Sequence, residues 1–128
     1  MLLDTNALLW VYADSSHLGA QAREHITQAG TAFFSGVSIA EIQIKHMLGK
    51  LSLPGGEHFP DVFPRSGLEE LPLGSAHIAA MRHFPDLARH DPFDRMILAQ
   101  AQAENLDLLT SDRTLLSLGL PWVRDARV

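Results

Sequence analysis

Short apolar runs alternate along this chain with stretches of helical periodicity. Leu2-Leu3 is a brief apolar start that ends on Asp4, and Ala7, Leu8, Trp10, Val11 and Tyr12 follow at helical spacing. A second helix is predicted over residues 16–29, with Leu18, Ala22 and Ile26 four apart on one face and Gly30 as its stop. Ala32-Phe33-Phe34 reads as a buried strand. Ser38 starts a third helix that carries Ile39, Ile42, Ile44 and Leu48, and Gly49 ends it. Residues 53–67 hold Pro54, Gly55, Gly56, Pro60, Pro64 and Gly67, which leaves room for a short helix at most. Residues 68–73 are a strand candidate despite Pro72. Ser75 caps a helix through Ile78 and Met81 to about Phe84, and a loop over 85–90 leads to Asp91-Pro92. Pro92 suits the first helical position, with Asp91 as the N-cap, and this helix runs to about Glu104. Residues 106–109 form the next strand. Ser111 or Asp112 opens a short helix ending near Gly119, and Trp122-Val123 closes the pattern as an edge strand.

Strands that alternate with helices at these spacings predict an α/β fold, with a parallel sheet, helices on both faces and right-handed crossovers. In such sheets ligands bind in a crevice at the carboxyl ends of the strands. The 128 residues suit one domain spanning 1–128.

Composition narrows the function more than the fold. Hydrophobic residues make up 46% and charged residues 20%, so a packed core is expected. There is no cysteine, which excludes disulfides, thiolate metal sites and a cysteine nucleophile, and fits a reducing compartment. Ten basic against fifteen acidic side chains give a formal charge of -5, which argues against a general polyanion-binding surface. No positively charged start precedes an apolar run, and no apolar segment approaches the ~20 residues that span a bilayer. A soluble, cytoplasmic domain is the expectation.

The acids fall at special places. Asp4 ends the first strand, Glu41 is expected in the first turn of the third helix, Asp94 lies in the first turn of the helix opened by Asp91-Pro92, and Asp112 follows the 106–109 strand. In a doubly wound sheet these positions share one rim. Each also has a plainer explanation. Asp4, Asp91 and Asp112 are good helix caps, and Ser38-Ile39-Ala40-Glu41 matches a capping box. Asp4 is the hardest to dismiss, because a buried carboxylate without a partner is costly at the end of an apolar strand. Several carboxylates in one place repel unless a cation compensates. Mg²⁺ and Mn²⁺ take oxygen ligands, and beside them water is acidified and phosphodiester charge is screened. That is the chemistry of a metal-dependent nuclease.

With these residues in view, the sequence resembles a PIN-domain ribonuclease, and more closely the VapC-type toxins of bacterial toxin–antitoxin pairs. The resemblance is carried by residues 1–10 (MLLDTNALLW), Ser38-Ile39-Ala40-Glu41-Ile42, residues 90–101 (HDPFDRMILAQA) and Leu109-Thr110-Ser111-Asp112, whose order and spacing cover nearly the whole chain. Asp-Pro-Phe-Asp-Arg is the most specific piece. The resemblance implies a three-layer α/β/α fold with a central parallel sheet. It implies Mg²⁺- or Mn²⁺-dependent cleavage of RNA, a homodimer, and a VapB-type antitoxin that covers the site. It assigns the four family acids to Asp4, Glu41, Asp94 and Asp112. In this scheme Asp4, Asp94 and Asp112 hold the metal and Glu41 orients or deprotonates the attacking water or holds a second ion.

Around them, Asn6, Thr110 and Ser111 are candidates to hydrogen-bond the carboxylates, with ordinary turn chemistry as the alternative. Asp91 is an accessory acid or only a cap, and the cap is favoured. Arg95 and Arg113 each follow an acid by one residue and are candidates for RNA contact, against the plainer reading of surface charges. Arg89 and His90 lie in the preceding loop and are further candidates to hold RNA. Lys45, His46 and Lys50 read as the exposed face of the third helix. The seven histidines are scattered and no His-Glu-x-x-His pattern occurs, so zinc is not expected. Trp10, Tyr12, Phe33 and Phe34 read as core, while the first and third helices are expected to leave an apolar groove for an antitoxin helix. Two rivals remain in view. A haloacid-dehalogenase-like phosphatase also places Asp after its first strand, but needs a second Asp where Asn6 stands and a late lysine where Lys45 and Lys50 are the only lysines. A non-catalytic module of the same fold would have no need of four acids. Nucleotide-binding glycine motifs do not occur.

Overall fold

The structure is a computed structural model that describes residues 1–128. Its order is β1 (Leu2–Leu3), α1 (Thr5–Tyr12), α2 (Ala20–Ala29), β2 (Phe33–Ser35), α3 (Gly36–Met47), α4 (Val62–Arg65), β3 (Glu69–Leu71), α5 (Ser75–Ala79), α6 (Pro92–Ala103), β4 (Leu108–Thr110), α7 (Arg113–Leu116) and β5 (Val123–Asp125). Single 3₁₀ turns at Gly56–His58, Ala80–His83 and Pro85–Leu87 fill the longer connections. No helix is long and apolar enough to cross a membrane.

The five strands form one sheet in the order β3-β2-β1-β4-β5, and every pairing is parallel. Strand side chains alternate between faces, so Leu3, Phe34 and Leu109 meet α1, α2 and α4 through Ala7, Leu8, Ala22 and Phe63. Leu2 and Leu108 face the other way, onto Ile97, Leu98 and Ala101 of α6 and Leu115 of α7. α3 lies at the boundary and gives Ile42 to the first layer and Val37 to the second. This is the three-layer α/β/α sandwich that the alternation predicts. From β1 the chain steps outward to β2 and β3, then returns to β4 on the other side of β1. The order therefore reverses between β1 and β4, and a crevice opens beyond their carboxyl ends.

Several local expectations change. α3 begins two residues before Ser38, because Ser35 is its N-cap and accepts the Val37 amide at 2.9 Å. The capping box expected between Ser38 and Glu41 does not form. Ser38 is buried inside the helix and bonds the Thr5 hydroxyl at 2.9 Å. Glu41 consequently sits in the second turn, clear of the helix end. α2 starts at Ala20 with Gly19 as N-cap. A side chain at Gly19 would meet the Val128 backbone 2.1 Å away, so that packing admits only glycine. Gly74, not Ser75, precedes α5, and its amide donates to His77 Nδ1 at 2.9 Å. Fully buried Gln100 accepts from the Ser35 hydroxyl and donates to the Leu71 carbonyl at 3.3 Å, which ties α6 to the carboxyl ends of β2 and β3.

Candidate active site

Asp4, Glu41, Asp94 and Asp112 reach the same crevice from four separate segments. They line one cavity of about 380 Å³ with Thr5, Asn6, Lys45, Asp91, Ser111 and Arg113, and no hydrophobic side chain contributes to its wall.

Asp4 sits at its floor. The residue is 3% exposed, and its amide donates to the Leu109 carbonyl at 3.0 Å, which continues the β1–β4 ladder by one step. Its Oδ1 accepts the Ala7 amide at 2.8 Å and caps α1, while Oδ2 accepts the Thr110 hydroxyl at 2.5 Å. Burial nevertheless dominates and lifts the carboxyl to about 6, although the Thr110 hydroxyl and the Ala7 and Ser111 amides pull the other way.

Asp94 stands in the first turn of α6, behind the N-cap Asp91, whose Oδ1 accepts the Phe93 amide at 2.8 Å. Partial burial first, then the charges of Asp112, Asp91 and Asp4, push the Asp94 carboxyl up to about 8. Asp112 is its counterpart. Burial opposes its charge, but the Leu115 amide, the Asp94 carboxyl and His90 together hold Asp112 below the ordinary range.

Glu41 is 7% exposed, and its Oε2 accepts Lys45 Nζ at 2.7 Å. Its Oε1 is buried without any hydrogen-bond partner. A buried, orphaned carboxylate oxygen on the wall of an acidic cavity is what a divalent ion or its bound water would satisfy. The donor set is all carboxylate apart from one imidazole, which suits Mg²⁺ or Mn²⁺.

The neighbours divide by position. Thr110 bridges two acids, donating to Asp4 and accepting the Asp112 amide at 3.0 Å. Asn6 donates to Ser111 Oγ at 3.2 Å, so its amide meets a hydroxyl instead of a carboxylate. Arg113 lines the cavity. Arg95 is not among its lining residues and donates to the Ala88 carbonyl at 3.1 Å, bracing the loop before α6.

Two contributors escape a reading of the chain by segments. His90 Nε2 lies 3.2 Å from Asp112 Oδ2 and 3.5 Å from Asp94 Oδ2, and the three side chains bring ligand atoms within 4.8 Å of one another. Lys45 belongs to the cavity wall, not merely to an outer helix face. Its spacing of four from Glu41 was the available signal; for His90 it was the spacing of four to Asp94.

A family model described as the PIN domain matches residues 1–119. No curated relative matches the chain by sequence. Among solved structures, a VapBC2 complex from Rickettsia felis bound to a promoter DNA fragment is similar at TM-score 0.66 and 18% identity, over 97% of this chain and 95% of that one. A DNA-bound VapBC from Salmonella typhimurium is similar at TM-score 0.64 and 21% identity, over 97% and 94%. A toxin–antitoxin complex from Klebsiella pneumoniae is similar at TM-score 0.61 and 18% identity, over 95% and 93%. At these identities the neighbours speak for the fold. The family match extends over nearly all of the sequence and over every acid of the cavity, and on that ground the chain belongs to the PIN-domain family.

Proposed function

We propose that this chain is the toxin of a type II toxin–antitoxin pair, of VapC type, and acts as a metal-dependent endoribonuclease. The observation that carries the reading is the convergence of Asp4, Glu41, Asp94 and Asp112 on one wholly polar cavity, where burial raises the Asp4 and Asp94 carboxyls and a buried Glu41 oxygen has no partner. Such a set is intolerant of full ionisation without a cation.

Asp4, Asp94 and Asp112 are the proposed ligands, and Glu41 faces the attacking water. A bound Mg²⁺ or Mn²⁺ supplies an acidified water and screens phosphodiester charge. The chain's own residues do the rest. Thr110 and the Ala7 amide of α1 fix the Asp4 carboxylate, and His90 holds Asp112 toward Asp94. Glu41 Oε1 orients water and accepts its proton, and Arg113 at the rim meets a phosphate of the substrate strand.

The partner is a VapB-type antitoxin. Ile44, Met47 and Leu48 are 45%, 77% and 63% exposed on the last turn of α3, an apolar face that supports a protein partner. A homodimer, residence in the cytoplasm and a single functional domain over 1–128 belong to the same proposal. The test is cleavage of RNA by the purified chain, followed on gels. Mg²⁺ or Mn²⁺ should support cutting, excess chelator should stop it, and Asp94→Asn should abolish it with the fold intact. Undiminished cutting in chelator would refute the reading, and turnover of a phosphomonoester but not RNA would favour a phosphatase instead.

A further inference from the structure

Glu41 and Lys45 lie one turn apart on α3, and their ion pair is unlike an ordinary pair on a helix surface. The acid is almost wholly buried, and Lys45 is its one cationic contact, Nζ to Oε2 at 2.7 Å. Lys45 itself is half-exposed, lines the acidic cavity and feels the charges of Asp91 and Asp94 as well as Glu41. An ammonium carries three donors. One is spent on Glu41, and no other side chain or carbonyl takes the remaining two. The two Glu41 oxygens therefore have distinct environments. Oε2 is engaged by a cation fixed to the chain, and Oε1 is left without a partner.

We propose that the Lys45 ammonium is a built-in second cation of this site, holding the Glu41 side of the cavity so that one divalent ion, and not two, binds on the Asp4–Asp94–Asp112 side. The inference rests on the metal-dependent reading above. A second divalent ion chelated by both Glu41 oxygens would need Oε2, which the ammonium holds, and one on Oε1 alone would share the carboxylate with that ammonium. The ion and the ammonium would repel across a single carboxylate. Glu41 Oε1 stays available to a water of the single ion. The two spare Lys45 donors face a substrate phosphate, in the position where a second ion would otherwise screen its charge.

The test needs neither RNA nor turnover. Mn²⁺ is titrated into the full chain and free aqueous Mn²⁺ is read by electron paramagnetic resonance. The wild type is expected to bind one ion, Lys45→Arg one, and Lys45→Met two, because removing the cation frees Oε2. Circular dichroism reports the fold of each variant, and Lys45→Gln repeats the measurement if the methionine variant is unstable. Two ions in the wild type would overturn the proposal, as would one ion in a folded neutral variant. Absence of any Mn²⁺ binding by the wild type would overturn the metal-dependent reading along with it. A wrong stoichiometry with clear binding overturns the role of Lys45 alone.

Discussion

Replacing Asp4 by Asn should stabilise the metal-free protein while destroying its response to metal. Asp4 is 3% exposed, and burial lifts its carboxyl from 3.8 to about 6. Below pH 4 the group is protonated folded or unfolded and has no effect on stability. Between pH 4 and 6 the unfolded chain releases the proton and the folded one keeps it, so stability falls as pH rises. Above pH 6 the penalty is complete, at about 3 kcal/mol for a shift of this size. Asparagine carries no charge to desolvate and still offers an oxygen to the Ala7 amide, which Asp4 now accepts at 2.8 Å. The charge-assisted bonds from Thr110, Ala7 and Ser111 are already inside that figure, because they oppose burial in setting the net value of about 6. The gain at pH 7.5 is therefore about 3 kcal/mol, or roughly 10–15 °C in Tm for a domain of this size. Thermal unfolding by circular dichroism in chelator, at pH 4 and pH 7.5, measures it. The variant should match the wild type at pH 4 and exceed it at pH 7.5. Millimolar Mn²⁺ should then raise the Tm of the wild type and not of the variant, since only binding to the native state stabilises it. A gain of the same size at both pH values, or a variant less stable at pH 7.5, would refute the argument from burial.

Other consequences follow from the same geometry. Because Asp94 is held up to about 8 and Asp4 to about 6, an entering ion must displace protons, so Mn²⁺ affinity should fall as pH drops from 8 to 6 with proton release visible in calorimetry. Thr110→Val removes the donor to Asp4 and the acceptor for the Asp112 amide at once, and should weaken Mn²⁺ binding by roughly 10–100-fold. Arg113→Ala should weaken RNA binding and lower the salt dependence by about 0.7 in log–log slope, as expected for one lost phosphate contact to a single strand. Arg95→Ala should leave that slope alone and cost about 1 kcal/mol of stability, because it frees the Ala88 carbonyl.

The layers were legible wherever period and punctuation agreed. Leu2-Leu3, Phe33-Phe34 and Leu108-Leu109 are apolar on both sides because both faces of the sheet are covered, and such runs announce buried parallel strands. Asp91-Pro92 marked the start of α6 because its cap is local in sequence. The start of α3 departs from the expected Ser38 for the opposite reason. Ser35 and Ser38 are both plausible caps by type, and the decision is tertiary: Ser38 is needed by Thr5, and Ser35 sits where β2 ends beside Gln100. Irregular residues 53–67 packed Phe63 into the core against Phe34 and Tyr12, although no periodicity there declared it. The acids could be placed on one rim because strand ends and helix starts locate them. Lys45 and His90 belong to that rim only through side-chain direction, which segment boundaries do not carry.

Capping and ion binding looked like rival explanations of these acids, yet the geometry makes them compatible. Asp112 gives Oδ1 to the Leu115 amide at 2.9 Å and turns Oδ2 toward His90 and Asp94. Asp91 spends Oδ1 on the Phe93 and Asp94 amides while its side chain still lines the cavity. Asp4 caps α1 through Oδ1 and meets Thr110 through Oδ2. A cap needs one carboxylate oxygen and leaves the other's lone pairs to the crevice. It also fixes the torsion of the side chain, so the charge is aimed before any ion arrives. The helix amides that satisfy the first oxygen offset part of the repulsion among the acids. They do so incompletely, as the raised Asp4 and Asp94 carboxyls record. The remaining unfavourable charge is the driving force available to a cation. Glu41 is the exception that completes the argument: lying past the first turn of α3, it has no helix amide to accept, and its stabilising partner is the ammonium of Lys45.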